Sequence, residues 1–127
     1  MEKICLLAAM PQESRALLRL IGHWEPLRLG RLNGARFELG GRECLLLTTG
    51  MGMRRAGEAA GAVLEAGMAE VLFSFGIAGA VGLDLDIGDG VAVEAACRLA
   101  DGRPGEALPL APWPAGWRAA AGEALGR

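Results

Sequence analysis

The chain has 127 residues, 52% of them hydrophobic and 22% charged, a composition that buries one core and argues against a disordered segment. A formal net charge of -2 with a pI near 5.4 gives no electrostatic footprint for nucleic acid, and no cationic run suits an anionic membrane; small neutral or mildly polar ligands fit better. Cys5, Cys44 and Cys97 are odd in number, far apart and set among apolar neighbours, so they match neither a disulfide framework nor zinc-ligand spacing, and a reducing cytoplasm is expected.

Ile4 to Ala9 is an apolar run suited to a strand buried on both faces; it ends at Pro11 and is too short for a signal segment or a membrane span. Pro11 is placed to open a helix that carries Leu17, Leu18, Leu20 and Ile21 and stops at Gly22. Glu25 to Leu32, Arg36 to Leu39 and Glu43 to Thr48 then read as an antiparallel meander, with turns at Asn33-Gly34 and Gly40-Gly41. After Gly50-Met51-Gly52, small apolar residues at helical spacing (Ala56, Ala59, Ala60, Val63, Leu64) predict a helix packed closely on the sheet. Val71 to Phe75 is a second buried strand, expected beside the first, and Val91 to Ala96 a third. Asp101 to Pro114, with four prolines, reads as a Pro/Gly-rich loop, and Gly116 to Leu125 as a short helix. The fold class is therefore α/β: a mixed central sheet with flanking helices, in one domain over residues 1–127.

Ligands of open α/β sheets collect at the carboxyl ends of the strands. Three marked turns fall at such ends: Ala9-Met10-Pro11-Gln12-Glu13, Thr48-Thr49-Gly50-Met51-Gly52 and Gly76-Ile77-Ala78-Gly79. Each alone is ordinary turn chemistry. Their joint order, with Lys3-Ile4-Cys5-Leu6-Leu7-Ala8 before the first and Ile87-Gly88-Asp89 after the last, resembles the nucleoside phosphorylase/nucleosidase superfamily, and within it the methylthioadenosine/S-adenosylhomocysteine nucleosidases.

That resemblance implies a three-layer α/β/α fold and hydrolysis of the N-glycosidic bond of an adenosine-type nucleoside, with no cofactor and no metal. It implies Glu13 as the base that takes a proton from the attacking water, Ala9 and Met10 in the pocket wall, and Met51 against ribose and base. Ile77, Ala78 and Gly79 would also approach the nucleoside; Ile77 is a departure, since the better-known nucleosidases have a small polar residue there. A Met-Glu segment for the ribose hydroxyls and an aspartate for the purine are implied for a second half, and nothing after Ala96 matches either, so the chain is expected to be truncated, a fragment, or a member whose missing half is supplied elsewhere, with its active site incomplete. The expected assembly is a homo-oligomer, a dimer.

The chemistry also supports Glu13 on its own terms. An oxocarbenium-like sugar needs a late nucleophile and a carboxylate to accept its proton, and the first turn of a helix favours negative charge. The plain alternative is a glutamate that merely stabilises a helix terminus. A purine nucleoside phosphorylase is a second reading, although the first loop offers Met10-Pro11-Gln12 and no arginine before Arg15. A non-catalytic nucleoside-binding or assembly fragment is a third. His23 has no Ser or Cys partner to form a triad, Asp84, Asp86 and Asp89 miss the spacing of a calcium loop and read as a solvated turn, and Arg54 and Arg55 read as a solvated helix face.

Overall fold

The computed structural model describes residues 3–82, 84–113 and 116–124. They form two units, Met1–Gly79 and Ala80–Arg127. The first holds β1 (Ile4–Ala8), α1 (Pro11–Ile21), β2 (Glu25–Leu29), β3 (Leu32–Leu39), β4 (Arg42–Thr48), α2 (Met53–Glu65) and β5 (Val71–Ser74). Its five strands lie in the order β2-β3-β4-β1-β5. β1 runs parallel to both β4 and β5, while β3 is antiparallel to β2 and β4, so the sheet is mixed.

Side chains alternate between the two faces of a strand, so register assigns each residue to a layer. Cys5 and Leu7 of β1 pair with Leu45 and Leu47 of β4, and this face is closed by Val63 of α2 together with Ala69. The opposite face carries Ala8, Ala35, Phe37, Cys44 and Leu46, all buried. α1 covers it, because the Ser14 hydroxyl on α1 meets the Thr48 hydroxyl of β4 at 2.7 Å, and Thr48 shares the parity of Leu46. Helices on both faces give the expected three layers. β1 is doubly covered as its composition predicts. β5 is its neighbour but sits at the edge of the sheet, and Val71, Leu72 and Phe73 are only half-buried.

The meander is present with a corrected turn. Leu29 pairs with Leu32, so the β2–β3 connection is Gly30-Arg31, and Gly30 supplies the positive φ of 60°. Asn33 and Gly34 instead lie inside β3. Gly34 serves close approach: a Cβ there would collide with the carbonyl oxygen of Leu46 and meet Leu47 Cδ2 at 2.8 Å. A turn dipeptide was the wrong reading because packing against β4, not local backbone conformation, sets the need for glycine.

In the second unit the 101–114 loop is replaced in part by a hairpin of β6 (Ala96–Ala100) and β7 (Arg103–Leu108). Ala100 pairs with Arg103, leaving Asp101-Gly102 as a two-residue turn with φ of 51° and 73°. Positive φ at both positions is what a type I′ hairpin requires. Pro104 and Gly105 argue against a strand in sequence, yet a two-stranded ribbon is all edge and tolerates both. Residues 91–95 have no regular structure, so the expected third strand begins later and pairs within this ribbon. Asp86 and Asp89 close a turn, with Asp86 N–H donating to Asp89 Oδ2 at 2.9 Å and Asp89 N–H to the Asp86 carbonyl at 3.1 Å. α3 spans Trp117–Ala124; Pro114 and Leu125 of the expected loop and helix lie outside the described residues. Among the described residues no helix is long and apolar enough to cross a membrane.

The cysteines differ in setting. Burial pushes the Cys5 thiol up to about 11 from its ordinary 9.0. Burial also raises Cys44, with Arg42 opposing and Glu43 adding to the effect, whereas Cys97 is exposed. A thiol reagent should therefore modify Cys97 rapidly and reach Cys5 and Cys44 only on unfolding. A raised thiol is kept neutral in the fold, so its contribution to stability is full below pH 9.0 and is lost as pH rises toward about 11. Urea midpoints across that window should fall in wild type and fall less in Cys5→Ala.

Candidate active site

Because β1, β4 and β5 are parallel, their carboxyl ends emerge at one edge of the sheet. Backbone hydrogen bonds continue past the strand ends and tie the exits together. Thr49 N–H donates to the Ala8 carbonyl at 2.8 Å, and Phe75 N–H to the Leu7 carbonyl at 3.1 Å. The three turns singled out in the sequence thus leave the sheet side by side.

α1 starts at this edge with Met10 as N-cap and Pro11 at the first helical position. Methionine offers no capping oxygen, but the N–H of Met10 is satisfied by Glu13 three residues on, whose Oε1 accepts it at 3.0 Å. The other carboxylate oxygen, Oε2, accepts the N–H of Ile77 at 2.7 Å, across 64 residues of sequence. Glu13 is only 6% exposed, and its carboxylate is held by two backbone donors at the start of α1. With both oxygens engaged, the carboxylate is fixed in orientation, and each oxygen retains lone-pair capacity for a further donor. Next to it the Ser14–Thr48 hydroxyl pair joins the helix start to the end of β4.

The structure brings Met10, Glu13 and Ile77 together through that carboxylate. Ala9 and Met10 are half-buried beside it. Ile77 contributes its backbone: its side chain is 79% exposed, so an apolar residue at this position leaves the hold on Glu13 unchanged. Met51 stands at the same edge after β4, with its side chain 69% exposed, and Ala78 and Gly79 are exposed beyond Ile77. Among the described residues, the hydrogen bonds of the Glu13 carboxylate come from Met10 and Ile77 and not from these three. Two features escaped the sequence reading. The Ser14–Thr48 pair was signalled only by hydroxyl residues at a helix start and a strand end, and Gly76 was read as turn chemistry alone. Among the described residues no group of three or more His, Cys, Asp or Glu side chains could hold a metal ion.

A three-layer α/β unit with a buried carboxylate at the shared carboxyl end of parallel strands defines the class of α/β proteins whose ligand site lies at that edge. The chain belongs to the phosphorylase superfamily, whose family profile matches residues 3–125. It is similar to the 5′-methylthioadenosine/S-adenosylhomocysteine nucleosidase of Chromohalobacter salexigens, at 34% identity over 92 residues, which are 70% of this chain and 38% of that protein. The chain thus spans well under half the length of the curated relative it matches. Among solved structures, the Neisseria meningitidis 5′-methylthioadenosine/S-adenosylhomocysteine nucleosidase, in complex with methylthio-immucillin-A, aligns with a TM-score of 0.62 and 26% identity, over 70% of this chain and 38% of that one. The Streptococcus pyogenes S-adenosylhomocysteine nucleosidase, in complex with 5-methylthiotubericidin, aligns with a TM-score of 0.62 and 27% identity, over 69% and 37% respectively.

Proposed function

We propose that this chain carries the base-bearing part of a nucleosidase site, which hydrolyses the N-glycosidic bond of an adenosine-type nucleoside such as methylthioadenosine or S-adenosylhomocysteine. The observation that carries the proposal is the Glu13 carboxylate, buried at the common exit of β1, β4 and β5 and oriented by the N–H groups of Met10 and Ile77. As the bond from C1′ to the purine breaks, positive charge develops on the sugar and a water oxygen bonds to C1′. Glu13 accepts a proton from that water, and the departing purine takes up one proton. In this reading Ala9 and Met10 wall the pocket, Met51 lies against ribose and base, and Ala78 and Gly79 approach the nucleoside with their backbone. The buried free thiols Cys5 and Cys44 suit a reducing cytoplasm, where we place the protein, acting as a dimer.

The test is release of adenine from methylthioadenosine, followed with and without phosphate. Adenine and free methylthioribose should form in phosphate-free buffer, at a rate that added phosphate leaves unchanged. Phosphate-dependent release with a sugar 1-phosphate as product would replace this reading with a phosphorylase. A nucleoside-binding module without turnover is the other outcome of this test. Saturable binding of methylthioadenosine with no adenine released would establish it.

A further inference from the structure

We infer that Gly76 is a positioning residue: its bare Cα is the seat on which the Glu13 carboxylate rests. The inference rests on the reading of Glu13 as the base. A glycine after a strand ordinarily supplies a positive φ, but Gly76 is not among the glycines in the left-handed region, so its backbone does not call for glycine. What calls for it is space. The three atoms nearest to a Cβ built at Gly76 all belong to Glu13: Oε2 in collision, Cδ at 3.0 Å and Oε1 at 3.4 Å.

The whole carboxylate therefore lies across the Gly76 Cα. The next N–H in the chain, that of Ile77, donates to Oε2 at 2.7 Å. From the other side Met10 N–H holds Oε1 at 3.0 Å, so the group is gripped between the start of α1 and the exit of β5. A side chain at position 76 would press on the group from the side where the Ile77 donor reaches it. The carboxylate would have to rotate or withdraw, losing the Oε2 hydrogen bond and the orientation that presents its remaining lone pairs. A small displacement of a catalytic group is enough to lower a rate by orders of magnitude.

The test is a double-mutant cycle on the full gene product, read by thermal unfolding and by kinetics. Gly76→Ala in wild type should lower Tm by about 5 °C or more, the effect of overpacking. In the Glu13→Ala background the obstructing carboxylate is absent and alanine only restricts the unfolded chain, so the same substitution should leave Tm unchanged or raise it slightly. Kinetically, Gly76→Ala should lower kcat for adenine release about 10- to 100-fold with KM nearly unchanged, because it disturbs the base and not the nucleoside contacts. Equal losses of Tm in both backgrounds would overturn the seat. Coupling in Tm together with an unchanged kcat would overturn the positioning role. Coupling in Tm with no turnover in wild type would confirm the seat and refute the reading of Glu13 as a base, so the two failures are told apart.

Discussion

Glu13→Gln should lower the rate of adenine release by about two to four orders of magnitude while nucleoside affinity changes little. Glutamine keeps the length and shape of the side chain but cannot accept a proton at the working pH. The geometry adds a second expectation. Both carboxylate oxygens accept backbone N–H groups, from Met10 at 3.0 Å and Ile77 at 2.7 Å. An amide has one acceptor oxygen, so its NH2 must face one of these part-buried donors, leaving that N–H unpaired at about 1 kcal/mol. The variant should therefore also unfold at a lower temperature, with a folded spectrum below the transition. Undiminished activity would show Glu13 to be only a clamp between α1 and the exit of β5.

Gly34→Ala should be the most damaging small substitution in the sheet, costing about 3 kcal/mol in urea unfolding. The built Cβ collides with the Leu46 carbonyl oxygen, and that oxygen belongs to the central strand β4. A flexible side chain could turn away; a backbone carbonyl between two paired strands cannot. Relief must come from separating β3 and β4, which would open the buried layer that includes Ala35, Phe37 and Leu46. A cost under about 0.5 kcal/mol, the ordinary range of a surface change, would show that the two strands are not in this register.

Much of this was legible in the residues. The apolar run at Ile4 and the Pro11 start of α1 follow from composition and from proline's missing N–H, and both lie where expected. The mixed sheet and the helix after Gly52 follow from periodicity. Glycine was the ambiguous letter. Gly34 and Gly76 serve close approach between segments distant in sequence, which no local pattern encodes. Asp101-Gly102 does supply a local turn, and the hairpin it closes was obscured by Pro104 and Gly105 in the second strand. The candidate site was legible as three turns in order. That Glu13 joins two of them through Met10 N–H and Ile77 N–H depends on the parallel pairing of β1 with β5, a long-range fact.

The most direct measurement is a crystal structure of the Glu13→Gln gene product with methylthioadenosine bound. The account predicts the nucleoside at the shared exit of β1, β4 and β5, with C1′ separated from the residue 13 side chain by one water that it hydrogen-bonds, and with Met51 and the Ala78-Gly79 backbone against the nucleoside. A nucleoside bound elsewhere, or C1′ too distant from residue 13 for a single water to bridge them, would contradict it.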